Sequence, residues 1–207
     1  MCSSDLVRSI SGDRDNHTLE YMLSFPISLS QYYWGKIIGR FVTVFLPVFL
    51  AMVIAVIFGA MKGAEVPWSL FLLYAGLLFA LTSSFLGIAF LVSSIVRSSE
   101  MGLGVAFFVW IFLLSFLDIA LISLMMQNRI NDGVIIAIAL INPMEVFRVA
   151  AISLFDPELT VMGPVAFYIL DMMSQLKFVL FSILYPTVLG LLFAFIGYNI
   201  FRKKDLV

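Results

Sequence analysis

Four stretches of this sequence run for about 20 residues or more with almost no charge, and they constrain the fold before anything else does. Inside a bilayer every backbone amide must find its partner within the protein, which leaves helices or closed barrels. A helix rises 1.5 Å per residue, so about 20 apolar residues cover the roughly 30 Å hydrocarbon layer. Phe41 to Met61, Val66 to Val96, Met101 to Met126 and Phe178 to Phe201 meet that length, with Asp118 the one charge inside them. The expected spans are residues 41–61, 68–96, 101–126 and 178–201. The second is long enough to tilt or bend, and its Thr82, Ser83 and Ser84 can bond their own backbone or a neighbouring helix. Gly133 to Ile141 and Leu159 to Leu170 are too short to cross alone and read as parts of an outer re-entrant segment over residues 127–177.

Composition narrows the function class. With 62% apolar and 12% charged residues the chain lies far from the roughly 25% charge of soluble domains. Soluble enzymes, disordered regulators and nucleic-acid binders are thereby excluded, and the fold class is an all-α polytopic membrane protein. A lone cysteine, Cys2, closes no intrachain disulfide, and a lone histidine, His17, makes no His-rich metal cluster. Four crossings return both ends of the chain to one side. Arg8, Arg14, Lys36, Arg40, Arg97, Arg202, Lys203 and Lys204 fall on that side, against Lys62, Arg129, Arg148 and Lys177 on the other. Orientation follows Lys and Arg, so the richer side, with the C-terminus, is expected in the cytoplasm. Residues 1–40 then form a cytoplasmic entry segment and 41–207 the transmembrane domain. No secretory signal opens the chain, and Met-Cys-Ser-Ser-Asp-Leu reads like a translated sequencing-adapter tail. The expectation is a truncated gene product whose native sequence begins near Val7.

Within the entry segment Thr18 is placed to cap a short helix over Leu19 to Ser24, with Leu19, Met22 and Leu23 on one face and Glu20 near its positive end. Pro26 breaks that helix. Ser28-Leu29-Ser30-Gln31 is a capping-box pattern for a second helix that carries Trp34, Lys36 and Arg40 into the first span. Periodicity leaves two placements open: an interfacial helix lying among headgroups, or a helix that docks on a partner.

The run Asp13-Arg14-Asp15-Asn16-His17-Thr18-Leu19-Glu20-Tyr21-Met22-Leu23-Ser24-Phe25-Pro26-Ile27-Ser28, followed by Gly35-Lys36 and Gly39, resembles the loop of ABC type-2 permeases. That loop usually reads Glu-Arg-Glu, a spacer, Gly-Thr-Leu-Glu, two apolar residues, Ser, any residue, Pro-Ile/Val-Ser. Asp13 and Asp15 stand where Glu is usual, and His17 where Gly is usual. The resemblance implies a coupling helix that sits in a groove of a separate ATPase subunit, with Asp13, Arg14, Asp15, Thr18, Leu19, Glu20, Met22, Leu23 and Pro26 as ATPase-coupling residues. It also implies that this chain carries the last four of six spans. Arg97-Ser98-Ser99-Glu100 resembles a cytoplasmic turn of that family, and Phe201-Arg202-Lys203-Lys204-Asp205-Leu206 its basic tail. Within the family, Leu117-Asp118-Ile119-Ala120-Leu121 and Asn142-Pro143-Met144-Glu145-Val146-Phe147-Arg148 look most like the permease of the nitrous-oxide-reductase maturation transporter. Such permeases work with an ATPase and a periplasmic copper-site assembly protein.

Asp118 sits about two-thirds of the way through its span, where an ionised carboxylate costs roughly 2.5 to 3.5 kcal/mol. It either lines the substrate or gating path, or lies near the outer interface bonded to a neighbouring helix. Further on, Asn142 reads as an N-cap, Pro143 as the first helical residue and Glu145 as the capping-box acid. Met144, Phe147, Ala151 and Leu154 then share a face, Glu145 can pair with Arg148, and Asp156-Pro157 stops the helix. The whole outer segment resembles the re-entrant hairpin of type-2 exporters, acting as a structural lid or touching substrate. Met125-Met126 and Met172-Met173 suit Cu(I) by chemistry, but helix neighbours point about 100° apart, so no metal site is assigned. Gly102, Gly104 and the glycines of the last span read as close-packing positions.

The sequence contains no G-x-x-x-x-G-K-[ST] loop, no H-E-x-x-H and no Ser, His and acid constellation. The expected chain is therefore a permease without catalytic residues or a cofactor of its own, ATP and Mg belonging to the partner ATPase. It would work as a homodimer in the bacterial or archaeal inner membrane, with the copper-site protein as a further partner and no nucleic acid. ATP-driven closure would push the Thr18 to Ser24 helix and, through the lead at Gly35 and Gly39, tilt the spans. A generic drug, lipid or polysaccharide exporter, a non-transporting scaffold and a polytopic enzyme are the alternatives.

Overall fold

The computed structural model describes residues 10–13, 16, 18, 21, 27–96, 98–117, 119, 120, 123, 132–155 and 174–204. Among them are α1 (Leu29–Met61), α2 (Trp68–Ile95), α3 (Ser99–Ile111, prolonged by a π-helical turn over Phe112–Phe116), α4 (Asp132–Ile141), α5 (Pro143–Phe155) and α6 (Gln175–Lys204). No strand occurs among the described residues. α1, α2, α3 with its π-turn, and α6 are long and apolar enough to cross a membrane. The all-α polytopic class expected from the charge-free windows is what the chain adopts. The short stretch Leu159–Leu170 lies outside the described residues.

α1 starts where the capping box places it. The Gln31 amide donates to Ser28 Oγ at 3.2 Å, and the Ser28 amide donates to Gln31 Oε1 at 3.0 Å, so two of the orphan donors at the helix start are satisfied reciprocally. It ends in a Schellman arrangement: Ala64 N–H reaches Gly59 O at 3.1 Å and Gly63 N–H reaches Ala60 O at 3.0 Å. Gly63 turns there with φ of +83°, a conformation that a Cβ would strain. At 33 residues α1 measures about 50 Å, some 20 Å more than the hydrocarbon layer. The surplus is the polar first third, Leu29 to Arg40, which runs into the span without a break. Pro47 is tolerated inside α1, as prolines in membrane helices are when neighbouring groups re-satisfy the freed carbonyl.

The third span departs from the single α-helix expected over 101–126. At Phe112–Phe116 the ladder widens, and Leu117 N–H bonds Phe112 O. One residue is thereby inserted into the helical repeat, which turns every later position about 100° around the axis.

The chain divides into two compact units. The first comprises Met1–Val66, Thr82–Phe108 and Thr187–Val207. Its core is Ile10, Tyr33, Leu86, Phe90 and Phe201, flanked by Leu29, Tyr32, Trp34, Ile37, Phe41 and Tyr198. These residues gather the N-terminal end of α1 with the C-terminal ends of α2 and α6, the side alternation that the topology requires. Deeper in the unit α2 and α6 touch backbone to backbone. A Cβ built on Gly87 would overlap the Gly190 carbonyl, and one built on Gly190 would overlap Ser83. The reading of last-span glycines as packing positions holds at Gly190. It does not hold at Gly104, which has nothing within 4 Å because its side of α3 is open in the single chain. Ser84, expected to bond backbone or a neighbour, is fully buried with no partner for its hydroxyl among the described residues.

The second unit comprises Pro67–Leu81 and Val109–Pro186. Leu77 of α2, Ile136 and Ala139 of α4, Val149 and Ala150 of α5, and Phe178 and Val179 of α6 form its core. α5 shows a second departure. Val146, Val149, Ala150 and Ser153 are its deeply buried positions, whereas Phe147, Ala151 and Leu154 of the expected face lie at the border of the core. The reason is that Pro143 and Glu145 are also drawn inside, which rotates the buried stripe away from the purely apolar one. Hydrogen bonds from Tyr74 Oη to Ala151 O, from Gln175 Nε2 to Ser153 O, and from Tyr185 Oη to Ile141 O at 2.7 Å tie α4 and α5 to the neighbouring spans.

The backbone contact at Gly190 predicts a sharp asymmetry among glycine substitutions. Gly190→Leu should lower thermal stability in detergent strongly, since overpacking against rigid backbone costs at least the usual 1–3 kcal/mol, about that order. Gly104→Ala should leave the melting temperature unchanged or raise it, through helix propensity of about 1 kcal/mol.

Candidate functional site

The entry segment is bound into the first unit by two sets of polar contacts. Residues 10–13 are helical. One acceptor comes from far away in sequence: the Ile10 and Ser11 amides both donate to Ser93 Oγ, each at 3.1 Å. Ile10, Ser11 and Ser93 are fully buried. Asp13 Oδ2 accepts from Lys36 Nζ in an ion pair and from Tyr32 Oη, and Lys36 Nζ lies 3.1 Å from Tyr32 Oη. Lys36 and Tyr32 are one helical turn apart on α1, which is why both reach the same carboxylate.

Beneath this joint lies Tyr33. Its hydroxyl donates to Ala194 O of α6 at 2.9 Å, and its ring meets Phe90 edge-on with centroids 5.6 Å apart. Tyr198 and Phe201 close the other sides at 5.4 and 5.6 Å. A Cβ on Gly197 would collide with the Tyr33 hydroxyl, so the absence of a side chain there makes room for the insertion.

Of the residues expected to couple to an ATPase, Asp13 and Thr18 fall among those described. Thr18 is itself helical. Tyr21 is helical and 65% exposed. Arg14, Asp15, Leu19, Glu20, Met22, Leu23 and Pro26 lie outside the described residues, as does Asp118.

The residues expected in the outer segment come together as a polar joint in the second unit. Asn142 is buried and works in two directions: its Oδ1 accepts the Met144 amide at 3.0 Å, and its Nδ2 donates to Leu113 O at 2.7 Å. The first contact is the N-cap expected of Asn142 before Pro143. The second was not legible in the sequence. Because Leu117 N–H is taken by Phe112 O, it is withdrawn from Leu113 O, its ordinary α-helical acceptor, and the Asn142 amide fills that vacancy. Glu145 and Arg148 pair as expected, Nη2 to Oε2 at 2.5 Å, with the carboxylate buried and the guanidinium reaching outward. Ser93, Tyr33 and Lys36 are the contributors that sequence reasoning did not single out. Their traces are hydroxyls at the end of an apolar helix and the dense run Tyr32-Tyr33-Trp34.

A bundle of apolar spans with a polar entry segment locked to one end is the frame of a transport subunit, and comparison with known families decides which. The chain matches the family model described as ABC-2 family transporter protein over residues 7–206. This chain belongs to the ABC-2 transporter family. As an ABC-2 permease it is a multi-pass transmembrane subunit whose ATPase resides in a partner chain. No curated protein matches the chain.

The double role of Asn142 in this permease predicts that Asn142→Ala removes the partner of a part-buried carbonyl and uncaps α5 together, costing about 1–3 kcal/mol. Hydrogen exchange should then rise both at 112–117 and in the first turn of α5. An effect confined to α5 would show that the Leu113 contact is dispensable.

Proposed function

We propose that this ABC-2 permease converts ATP hydrolysis on a separate ATPase subunit into movement of its spans, through the cytoplasmic entry segment. The observation that carries the reading is the attachment of that segment to three spans at one end of the first unit. Asp13 is paired with α1, Ile10 and Ser11 are bonded to α2, and Ile10 packs in one cluster with Phe201 of α6. A segment so attached cannot be displaced without disturbing the bundle. The excess of Lys and Arg at that end, with Arg202 and Lys203 exposed at the tip of α6, supports a cytoplasmic placement in the inner membrane. Thr18, Leu19, Glu20, Met22 and Leu23 are the residues assigned to the ATPase groove, flanked by Arg14, Asp15 and Pro26. Two permease copies would face two ATPases. The cofactors of the reaction, ATP and Mg, are held by the partner.

In its finer form the proposal is a transporter for nitrous-oxide-reductase maturation, supported by the resemblance of Leu117–Leu121 and Asn142–Arg148. Asp118 is then a candidate on the path, and the joint of Asn142, Pro143, Glu145 and Arg148 belongs to the outer lid. Inactivation of the gene should leave nitrous-oxide reductase synthesised but lacking copper. A normally metallated reductase would remove this assignment and leave an exporter of other cargo.

For the coupling itself, the doubly substituted Leu19→Asp, Leu23→Asp permease should insert normally yet lose co-purification with its ATPase at least tenfold. Full recruitment of the ATPase by that variant would contradict the proposed role of the helix.

A further inference from the structure

We propose that Asp13 and Ser93 are positioning residues that divide the motion of the entry segment between two spans, Asp13 passing it to α1 and Ser93 to α2. The inference rests on the coupling role proposed above and changes one part of it: Asp13, which the family resemblance assigns to ATPase coupling, acts inside this chain as a strut.

The geometry separates the two links. Asp13 Oδ2 takes both Lys36 Nζ and Tyr32 Oη, and the pair is enclosed, with side chains only 20% and 25% exposed for Lys36 and Asp13. Both bonds fall on Oδ2, so the carboxylate is held to α1 by one oxygen, and the enclosure of the side chain restricts what can approach the other. Separately, Ser93 Oγ of α2 accepts the consecutive amides of Ile10 and Ser11, 83 and 82 residues away in sequence.

Directional bonds matter here because the surrounding cluster is aromatic. The apolar contacts among rings such as Tyr33, Phe90 and Phe201 are non-directional, whereas hydrogen bonds weaken steeply once length and angle depart from their narrow ranges. The bonds at Asp13 and Ser93 therefore set which helix follows the entry segment. The aromatic cluster sets only that they stay together. Conformational coupling further requires that the partner ATPase prefer one of two positions of the segment, and the links carry that preference onward.

The test uses the full permease with its ATPase in proteoliposomes, in a Cys2→Ser background. A bimane fluorophore is attached to a single cysteine replacing Met61, at the far end of α1, or Trp68, at the far end of α2; these positions are 80% and 64% exposed. Adding Mg-ATP should change the emission of both labels in the parent protein. Asp13→Ala should reduce the response at position 61 at least fivefold while retaining that at position 68, and Ser93→Ala should do the reverse. ATPase co-purification should stay within twofold of the parent in both.

Ser93→Thr, which retains the hydroxyl, and the charge exchange of Asp13→Lys with Lys36→Asp should restore the lost responses; a merely structural role would not produce such separate losses and recoveries. Loss of ATPase binding in Asp13→Ala would overturn the strut and return Asp13 to the ATPase groove. Parent-like responses in the single variants, or equal losses at both positions, would overturn the division of motion. If the parent protein binds its ATPase but neither label responds to Mg-ATP, the coupling reading itself fails, and this inference with it.

Discussion

Helices that are apolar on every side gain almost nothing by exchanging lipid for one another, so their association must come from close packing and from hydrogen bonds. In this permease the first is concentrated where α2 meets α6 at Gly87 and Gly190, and the second at Tyr33, whose hydroxyl reaches Ala194 O. Both contacts depend on missing side chains, since Gly190 lets two backbones touch and Gly197 admits the Tyr33 hydroxyl. The most apolar window of α1 shows the contrast: none of it is buried within the chain. α1 is held chiefly by its polar first third, which is the part that meets Asp13 and α6.

That arrangement ties anchoring to signalling. The residues that hold α1 to the first unit, Tyr32, Tyr33 and Lys36, lie within a single turn of the helix and face two different neighbours. Tyr33 turns to α6, while Tyr32 and Lys36 turn to Asp13 of the entry segment. A force applied to the entry segment thus enters the bundle at the place where α1 is fastened, near Tyr32 to Lys36 and far from its other end at Met61. In the second unit a comparable economy appears at Asn142. One side chain starts α5 and occupies the carbonyl left over by the π-turn of α3, so α5 and the irregular span are organised by the same amide.

Much of this was legible from local rules. The charge-free windows gave four spans, the Ser28 capping box gave the start of α1, and Asn142-Pro143 with Glu145 and Arg148 gave the start of α5 and its ion pair. Each depends on residues at most a few positions apart. What sequence reasoning missed depends on residues far apart. Ser93 accepting from Ile10 and Ser11, Asp13 pairing with Lys36, and Asn142 holding Leu113 all need the tertiary arrangement to be known first. The π-turn has no signature in Phe-Leu-Leu-Ser-Phe, and the buried face of α5 was misplaced because a buried Glu145 is not expected of a charged residue. The family resemblance placed Asp13 among ATPase-coupling residues, but it could not show which partner inside the chain that carboxylate holds.

The claim at the centre of this account is that the entry helix meets the ATPase on the membrane face that carries the end of α6. A photo-cross-linking amino acid at position 21, exposed and helical, tests it in native membranes. Cross-linking to the ATPase subunit, with residues 202–204 accessible from the same side, is the predicted result. Capture of lipid alone at position 21, or accessibility of the two sites from opposite faces, would contradict it.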